Sequence, residues 1–177
     1  MITGKKLNLV MPTREDHENV QCIWEDADTM RDIGGPVPVS HEQYLAWWAD
    51  LFEDRQYENE YYLILDTENS ECFGEASFEY SDITVKRARL NLKIRAKHRG
   101  KGLGTEALEL LLEQYFEVFG GLVMEDCIAP ANQRTAEWLK ARGFRETGRD
   151  PDGIHLELGL EDYRRRRDAT AAGAARA

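Results

Sequence analysis

The run Arg99-Gly100-Lys101-Gly102-Leu103-Gly104-Thr105 decides the reading of this chain. Before it, Ala88 to Arg95 alternates: Ala88, Leu90, Leu92 and Ile94 against Arg89, Asn91, Lys93 and Arg95. That is the period of a half-buried strand. After it, Leu103, Ala107, Leu110, Leu111 and Tyr115 form the stripe of an amphipathic helix, which Gly120 and Gly121 end. A glycine-rich turn from strand to helix suits an anion. The first helical turn leaves backbone N–H groups without intrahelical partners, and the helix dipole adds partial positive charge. Glycines let a bulky anion reach the backbone, while Arg99 and Lys101 add two cations. Residues Arg99 to Thr105 are thus expected to cradle a pyrophosphate.

Two nucleotide motifs compete for the same run. A P-loop needs a longer spacing that ends in Gly-Lys-Ser/Thr, and no such string occurs. Gly102-Leu103-Gly104-Thr105-Glu106-Ala107 does fit the dinucleotide pattern G-x-G-x-x-A, with Glu125 or Asp126 about 20 residues on. The preceding strand, however, reads as half of a polar antiparallel hairpin rather than a buried parallel strand. Its partner is Cys72 to Tyr80, with Ala76, Phe78 and Tyr80 on one face and Glu75, Ser77 and Glu79 on the other. That hairpin would set Glu79 opposite Arg89.

Further out, Lys6 to Met11 reads as a first strand, and Thr13 with Asp16 as the cap of a helix over about Arg14 to Ala27. Gly34, Gly35, Pro36 and Pro38 make a loop. Ser40 with Gln43 caps a helix over His41 to Phe52, whose Tyr44, Leu45, Trp47, Trp48 and Leu51 cover a face broad enough to leave part lining a cleft. Tyr61 to Leu65 is the apolar run of a central strand. Leu122 to Ile128 is a strand, Asn132 to Arg142 a helix stopped by Gly143, and Phe144 to Arg149 and Ile154 to Leu160 are strands around an Asp152-Gly153 turn. The order β-α-α-β-β-β-α-β-α-β-β describes a mixed α/β chain of the α+β type, with a mostly antiparallel sheet of six to seven strands flanked by helices.

The 177 residues suit one domain, expected over 1–163, followed by a basic and then small-residue tail over 164–177 that is expected to be flexible. The net charge of −10 disfavours nucleic acid and anionic membranes, and favours a cationic partner. No apolar run reaches the length of a membrane span, Met1 to Lys6 lacks a signal-peptide core, and three scattered cysteines fit a reducing compartment, so the expected location is cytoplasmic. The cysteines read as buried packing. Four dispersed histidines offer no metal-ligand spacing, and no metal is expected.

Arg99-Gly100-Lys101-Gly102-Leu103-Gly104 resembles R/Q-x-x-G-x-G/A, the pyrophosphate signature of the GNAT superfamily of N-acetyltransferases. Asn132-Gln133-Arg134-Thr135-Ala136-Glu137-Trp138-Leu139-Lys140-Ala141-Arg142-Gly143-Phe144 resembles that superfamily's N-x-x-S/T/A…G-F run. Almost the whole chain is covered, and Gly100-Lys101-Gly102 followed by Thr105-Glu106-Ala107 looks most like the RimJ/RimL-like branch that modifies ribosomal-protein N-termini. The resemblance implies acetyl-CoA as co-substrate and acetyl transfer to a primary amine by direct attack in a ternary complex. The acceptor would be a protein N-terminus or a small cationic amine, and the resemblance leaves room for a homodimer. It implies that the strand before the cradle splays from the next parallel strand, so that pantetheine pairs with the backbone of Leu92, Lys93 and Ile94. It places Asn132 on the pantetheine, with a helix cap as its ordinary role, and Arg134 and Trp138 beside the cofactor, where surface and core packing are the plain alternatives.

Catalytic roles are less determined by the resemblance. Many relatives carry a tyrosine seven residues after the asparagine as proton donor, and Leu139 stands there. Thr135 is the substitute candidate near the sulfur, or else a helix cap. Glu75 and Glu79 are candidate bases or ammonium contacts. The branch often carries a glutamate where Arg89 stands, which unsettles that arrangement. His155 and Glu157 border the acceptor side or a bare strand face. A non-catalytic acyl-CoA sensor and a dinucleotide-binding oxidoreductase are the alternative classes.

Overall fold

The computed structural model describes residues 1–31, 33–53 and 59–174, with side chains through Ala169. Its elements are β1 Ile2–Thr3, β2 Leu7–Val10, α1 His17–Trp24, α2 Ala27–Met30, α3 His41–Phe52, β3 Glu60–Asp66, β4 Cys72–Asp82, β5 Arg87–Ile94, α4 Leu103–Glu113, β6 Val123–Ile128, α5 Gln133–Lys140, β7 Arg145–Arg149, β8 Ile154–Gly159 and α6 Leu160–Ala174. One sheet holds all the strands in the order β1-β2-β3-β4-β5-β6-β8-β7. It has eight strands rather than six or seven because the two-residue β1 pairs back on β2. Among the described residues, only β5 and β6 run parallel as a pair, joined by α4.

The sheet separates two apolar layers. Tyr62 and Ile64 of β3 face the larger core with Phe78, Leu90, Leu108, Leu111 and Met124, whereas Tyr61 and Leu63 face α1 and α3 with Val20, Ile23 and Tyr44. Both faces of β3 are covered, which is why its sequence is continuously apolar. Glu79 does stand opposite Arg89, and the hairpin register runs from Tyr80↔Ala88 to Gly74↔Ile94. Gly74 is required by close approach: a Cβ there would lie 1.9 Å from the Lys93 carbonyl oxygen.

The first helical segment differs from expectation. Instead of one helix over Arg14 to Ala27, a turn is followed by α1 and then by α2. Asp16 causes the turn, because its carboxylate accepts from the Thr13 N–H and hydroxyl, both at 2.8 Å. Asp26 starts a new helix by accepting from the Asp28 N–H at 3.1 Å and the Thr29 hydroxyl at 2.6 Å. The Ser40–Gln43 capping box forms as the sequence indicates. After Glu113, α4 widens into a π-helical turn over Gln114–Val118.

The basic run Arg164 to Arg167 continues α6, so the boundary expected at 163 falls inside a helix. Tyr163 is buried and stacks on Phe116 at 4.7 Å. Arg166 grips Glu109 of α4 through two bonds of 2.5 and 2.7 Å, and Arg167 meets Glu117 at 3.0 Å. These basic residues dock the helix on the body.

Candidate active site

The cradle forms because Gly100 and Gly102 take φ of +79° and +83°. A side chain at either would find room, so backbone conformation is what calls for glycine there. Gly102 sits at the start of α4 with no side-chain cap. The Thr105 and Glu106 N–H groups turn back to the Gly102 carbonyl at 3.1 and 3.2 Å, which leaves the amides just before them for an anion. A Cβ on Gly104 would meet the Ile94 and Trp138 side chains at 3.4 and 3.7 Å.

The cations are arranged differently from the sequence reading. Arg99 commits Nε to the Ile94 carbonyl (3.0 Å) and Nη2 to the Thr29 carbonyl (2.9 Å), so it ties the end of β5 to α2 at the rim. Lys101 is exposed and its side chain stays off the cleft wall. Lys6, likewise exposed and outside the cleft walls, brings its Nζ to the outer edge of the cradle, 3.4 Å from the Lys101 carbonyl, while its own N–H and that of Lys5 bond Glu106. Arg142 is the second newcomer. It bonds the Thr105 hydroxyl at 2.6 Å and the Trp138 carbonyl at 2.8 Å, and its guanidinium lies 4.1 Å from the Trp138 ring centroid. Burial lowers its pKa from the usual arginine value.

Behind the cradle, β5 and β6 separate. Only Arg87, Ala88 and Arg89 pair, with Val123, Met124 and Glu125. Past them the strands diverge around a cleft of about 690 Å³ whose walls include Leu90 to Ile94, Asp126 to Ala129, and the α4 and α5 starts. The Arg95 N–H donates to the Phe73 carbonyl at 2.8 Å, which sets the alternation along β5. Lys93 therefore turns its backbone to β4, while Leu92 and Ile94 turn theirs to the cleft. Of the three expected backbone contacts, Lys93 is corrected: it meets the cleft by its side chain, whose Nζ bonds Glu75 at 2.5 Å.

Asn132, Arg134, Thr135 and Trp138 all reach the cleft wall. Asn132 caps α5 by accepting the Thr135 N–H at 3.2 Å. Leu139 is buried in the core, so the family's tyrosine position here supports packing. The sequence offers Asp126 only as a nucleotide ribose contact, yet it lines the split itself. Burial pushes its carboxyl up to about 7, against the opposing pull of the Cys127 N–H and Arg89. No local motif marks Asp126; its signal is its place just past the last paired residue of β6.

The two glutamate candidates stay apart from the cleft. Glu75 is fully buried and accepts from Trp24 Nε1 (2.8 Å), the Tyr61 hydroxyl, Asn91 Nδ2 (3.2 Å) and Lys93 Nζ. With four donors it has no acceptor left for a substrate proton, which corrects its reading as a base. Glu79 is exposed beside Arg89 on the uncovered end of the same face. His155 bonds Asp150 at 2.7 Å and Glu157 bonds Arg87 at 2.5 Å, both away from the cleft walls.

Comparison with known proteins agrees with this geometry. The acetyltransferase (GNAT) domain family matches residues 6–145. A search among curated proteins found no match. A solved structure described as apo FdhC, a nucleotide-linked sugar GNAT, superposes with a TM-score of 0.80 at 15% identity, over 96% of each chain. Spermidine N-acetyltransferase from Vibrio cholerae, in complex with CoA and spermine, gives 0.78 at 14% identity over 90% of this chain and 99% of its own. A putative acetyltransferase from T. thermophilus gives 0.74 at 20% identity over 97% and 95%. At such identities these structures speak for the fold, and the family match, over most of the chain, speaks for the family. The chain belongs to the GNAT family and is an acetyl-CoA-dependent N-acetyltransferase.

Proposed function

We propose that the chain transfers acetyl to a primary amine, a small cationic amine or a protein N-terminus, by direct attack while donor and acceptor are bound together. The observation that carries this reading is the loss of pairing between β5 and β6 beyond Arg89 and Glu125, with the glycine cradle at one end of the gap. A pantetheine arm in the gap would pair as an added strand with Leu92 and with the Ile94 N–H, since Arg99 already takes the Ile94 carbonyl. The cradle amides and Lys6 hold the pyrophosphate, and Arg142 with Trp138 closes the α5 side. A spermidine enzyme among the structural neighbours supports an amine acceptor.

Asp126 supplies the proton donor that Leu139 does not. With a pKa of about 7, a large share of its carboxyl keeps a proton at neutral pH. The amine nitrogen bonds to the acyl carbon, the C–S bond breaks, and the departing thiolate takes the Asp126 proton. The proton shed by nitrogen restores the carboxyl through solvent. Such general acid help is worth about 10²–10⁴ in rate. The test is thiol release from acetyl-CoA against a panel of primary amines. Asp126→Asn is expected to lower kcat by that factor, to remove the decline in rate above about pH 7, and to leave acetyl-CoA affinity intact. Thiol release at the parental rate in Asp126→Asn, or no turnover of any amine by the parent, would overturn the reading.

A further inference from the structure

A second cavity, of about 200 Å³, lies between α1, the 37–39 loop and α3. Its walls are Val20, Trp24, Val39, Tyr44 and Trp47, with Val37 at 43% exposure by the loop. Three of the polar atoms of these walls are engaged elsewhere. Trp24 Nε1 donates to Glu75, the Tyr44 hydroxyl to the Thr13 carbonyl, and Gln43 Oε1 accepts from the Ser40 N–H. What remains toward the space is mostly ring face and methyl, and no carboxylate side chain is among its walls. Trp24 links this cavity to the cleft through Lys93. Lys93 Nζ lies 4.6 Å from its ring centroid, and Lys93 lines the cleft between the split strands. Lys93 and Glu75 neutralise each other, so that pair offers no spare negative charge for the further ammonium groups of a polyamine.

We propose that this cavity is the acceptor subsite and takes the aryl or branched-alkyl group of a primary amine, whose nitrogen extends past Trp24 to the split strands. The volume fits: an apolar cavity of about 150 Å³ already admits benzene. The acidic surface then draws in the ammonium, while selection among amines rests on the apolar body. The inference builds on the acetyl-transfer reading and names its acceptor class.

The test uses the full chain with saturating acetyl-CoA and a series of n-alkylamines, isopentylamine, phenethylamine and spermidine. The expected kcat/KM rises about fourfold per methylene until the cavity is filled. Isopentylamine and phenethylamine should then exceed spermidine. Val39→Phe and, independently, Val37→Phe plug the space and raise KM for phenethylamine about tenfold or more, with acetyl-CoA affinity by calorimetry unchanged. A flat series, a preference for spermidine, or two folded plug variants with parental KM would overturn the proposal. Quenching of tryptophan fluorescence by phenethylamine without acetyl-CoA separates the two readings. Quenching without any acetyl-CoA binding keeps the apolar site and sinks acetyl transfer. Turnover of amines with no quenching and no chain-length gain sinks the subsite and keeps acetyl transfer.

Discussion

Replacing Glu75 by Gln should be among the most damaging isosteric changes in the protein. The carboxylate is fully buried, and its two oxygens serve four donors from α1, β3 and β5. An amide offers one oxygen and adds two N–H groups, so donors on one side would face another donor. Lys93, with its side chain only 14% exposed, would keep its charge and lose its counter-ion. Breaking one partner of a buried pair costs about 3–5 kcal/mol. For a domain of this size that corresponds to a melting point lower by roughly 6–20 °C. Tyr61 suffers as well: burial and the neighbouring carboxylate hold its hydroxyl well above the usual tyrosine pKa, so it stays protonated and donates to Glu75, and the amide removes that charged acceptor. Adding Lys93→Met to Glu75→Gln removes the stranded cation and should recover about 1–3 kcal/mol. Differential scanning calorimetry on the parent, both single variants and the double variant closes the cycle. If Glu75→Gln melts within about 2 °C of the parent, or if the double variant gains nothing over it, the buried network is not what holds α1 to the sheet.

Asp126→Asn should also change how stability depends on pH. The folded pKa of about 7 exceeds the ordinary 3.8, so the native state binds the proton more tightly and loses stability as pH climbs between those values. The variant should match the parent near pH 4 and be the more stable near pH 8, by up to about 4 kcal/mol before allowance for partial solvent access; parallel urea titrations with no divergence would remove the claim. Lys6→Met should weaken acetyl-CoA binding about three- to tenfold and flatten its salt dependence in calorimetry, because its Nζ is tied to the cradle backbone at the Lys101 carbonyl, whereas Lys101→Met should do less. Arg166→Ala should lower stability by about 1–2 kcal/mol through loss of the paired bonds to Glu109 and the packing over Tyr163; an unchanged denaturation midpoint would mean that the Arg166–Glu109 pair adds nothing to the hold of Tyr163 and Arg167 on the body.

The parts of the site legible in sequence are those built by neighbouring residues. The cradle needs positive φ at two positions between a strand and a helix, and Gly100 and Gly102 announce that directly. Asn132 and Thr135 share one helical turn, so their mutual bond follows from spacing. The Glu79–Arg89 register follows from two alternating runs joined by a short link. Lys6 is beyond such reasoning, since it reaches the cradle only because β2 lies beside β3 and Glu106 fastens the Lys5–Lys6 backbone. The two glutamates show the limit most clearly. Strand parity puts Glu75 and Glu79 on one face and treats them alike, but α1 ends with Trp24 over Glu75 and leaves Glu79 exposed. One carboxylate is consumed by structure and the other is left in solvent, so neither is placed at the thioester. The carboxylate that does line the cleft, Asp126, belongs to the opposite parity of the neighbouring strand, one residue past its last pairing with β5, and burial there raises its pKa. Where pairing stops lies between two strands joined only through α4, with the starts of α4 and α5 on the walls of the gap, a relation across packed layers that no single stretch of chain encodes.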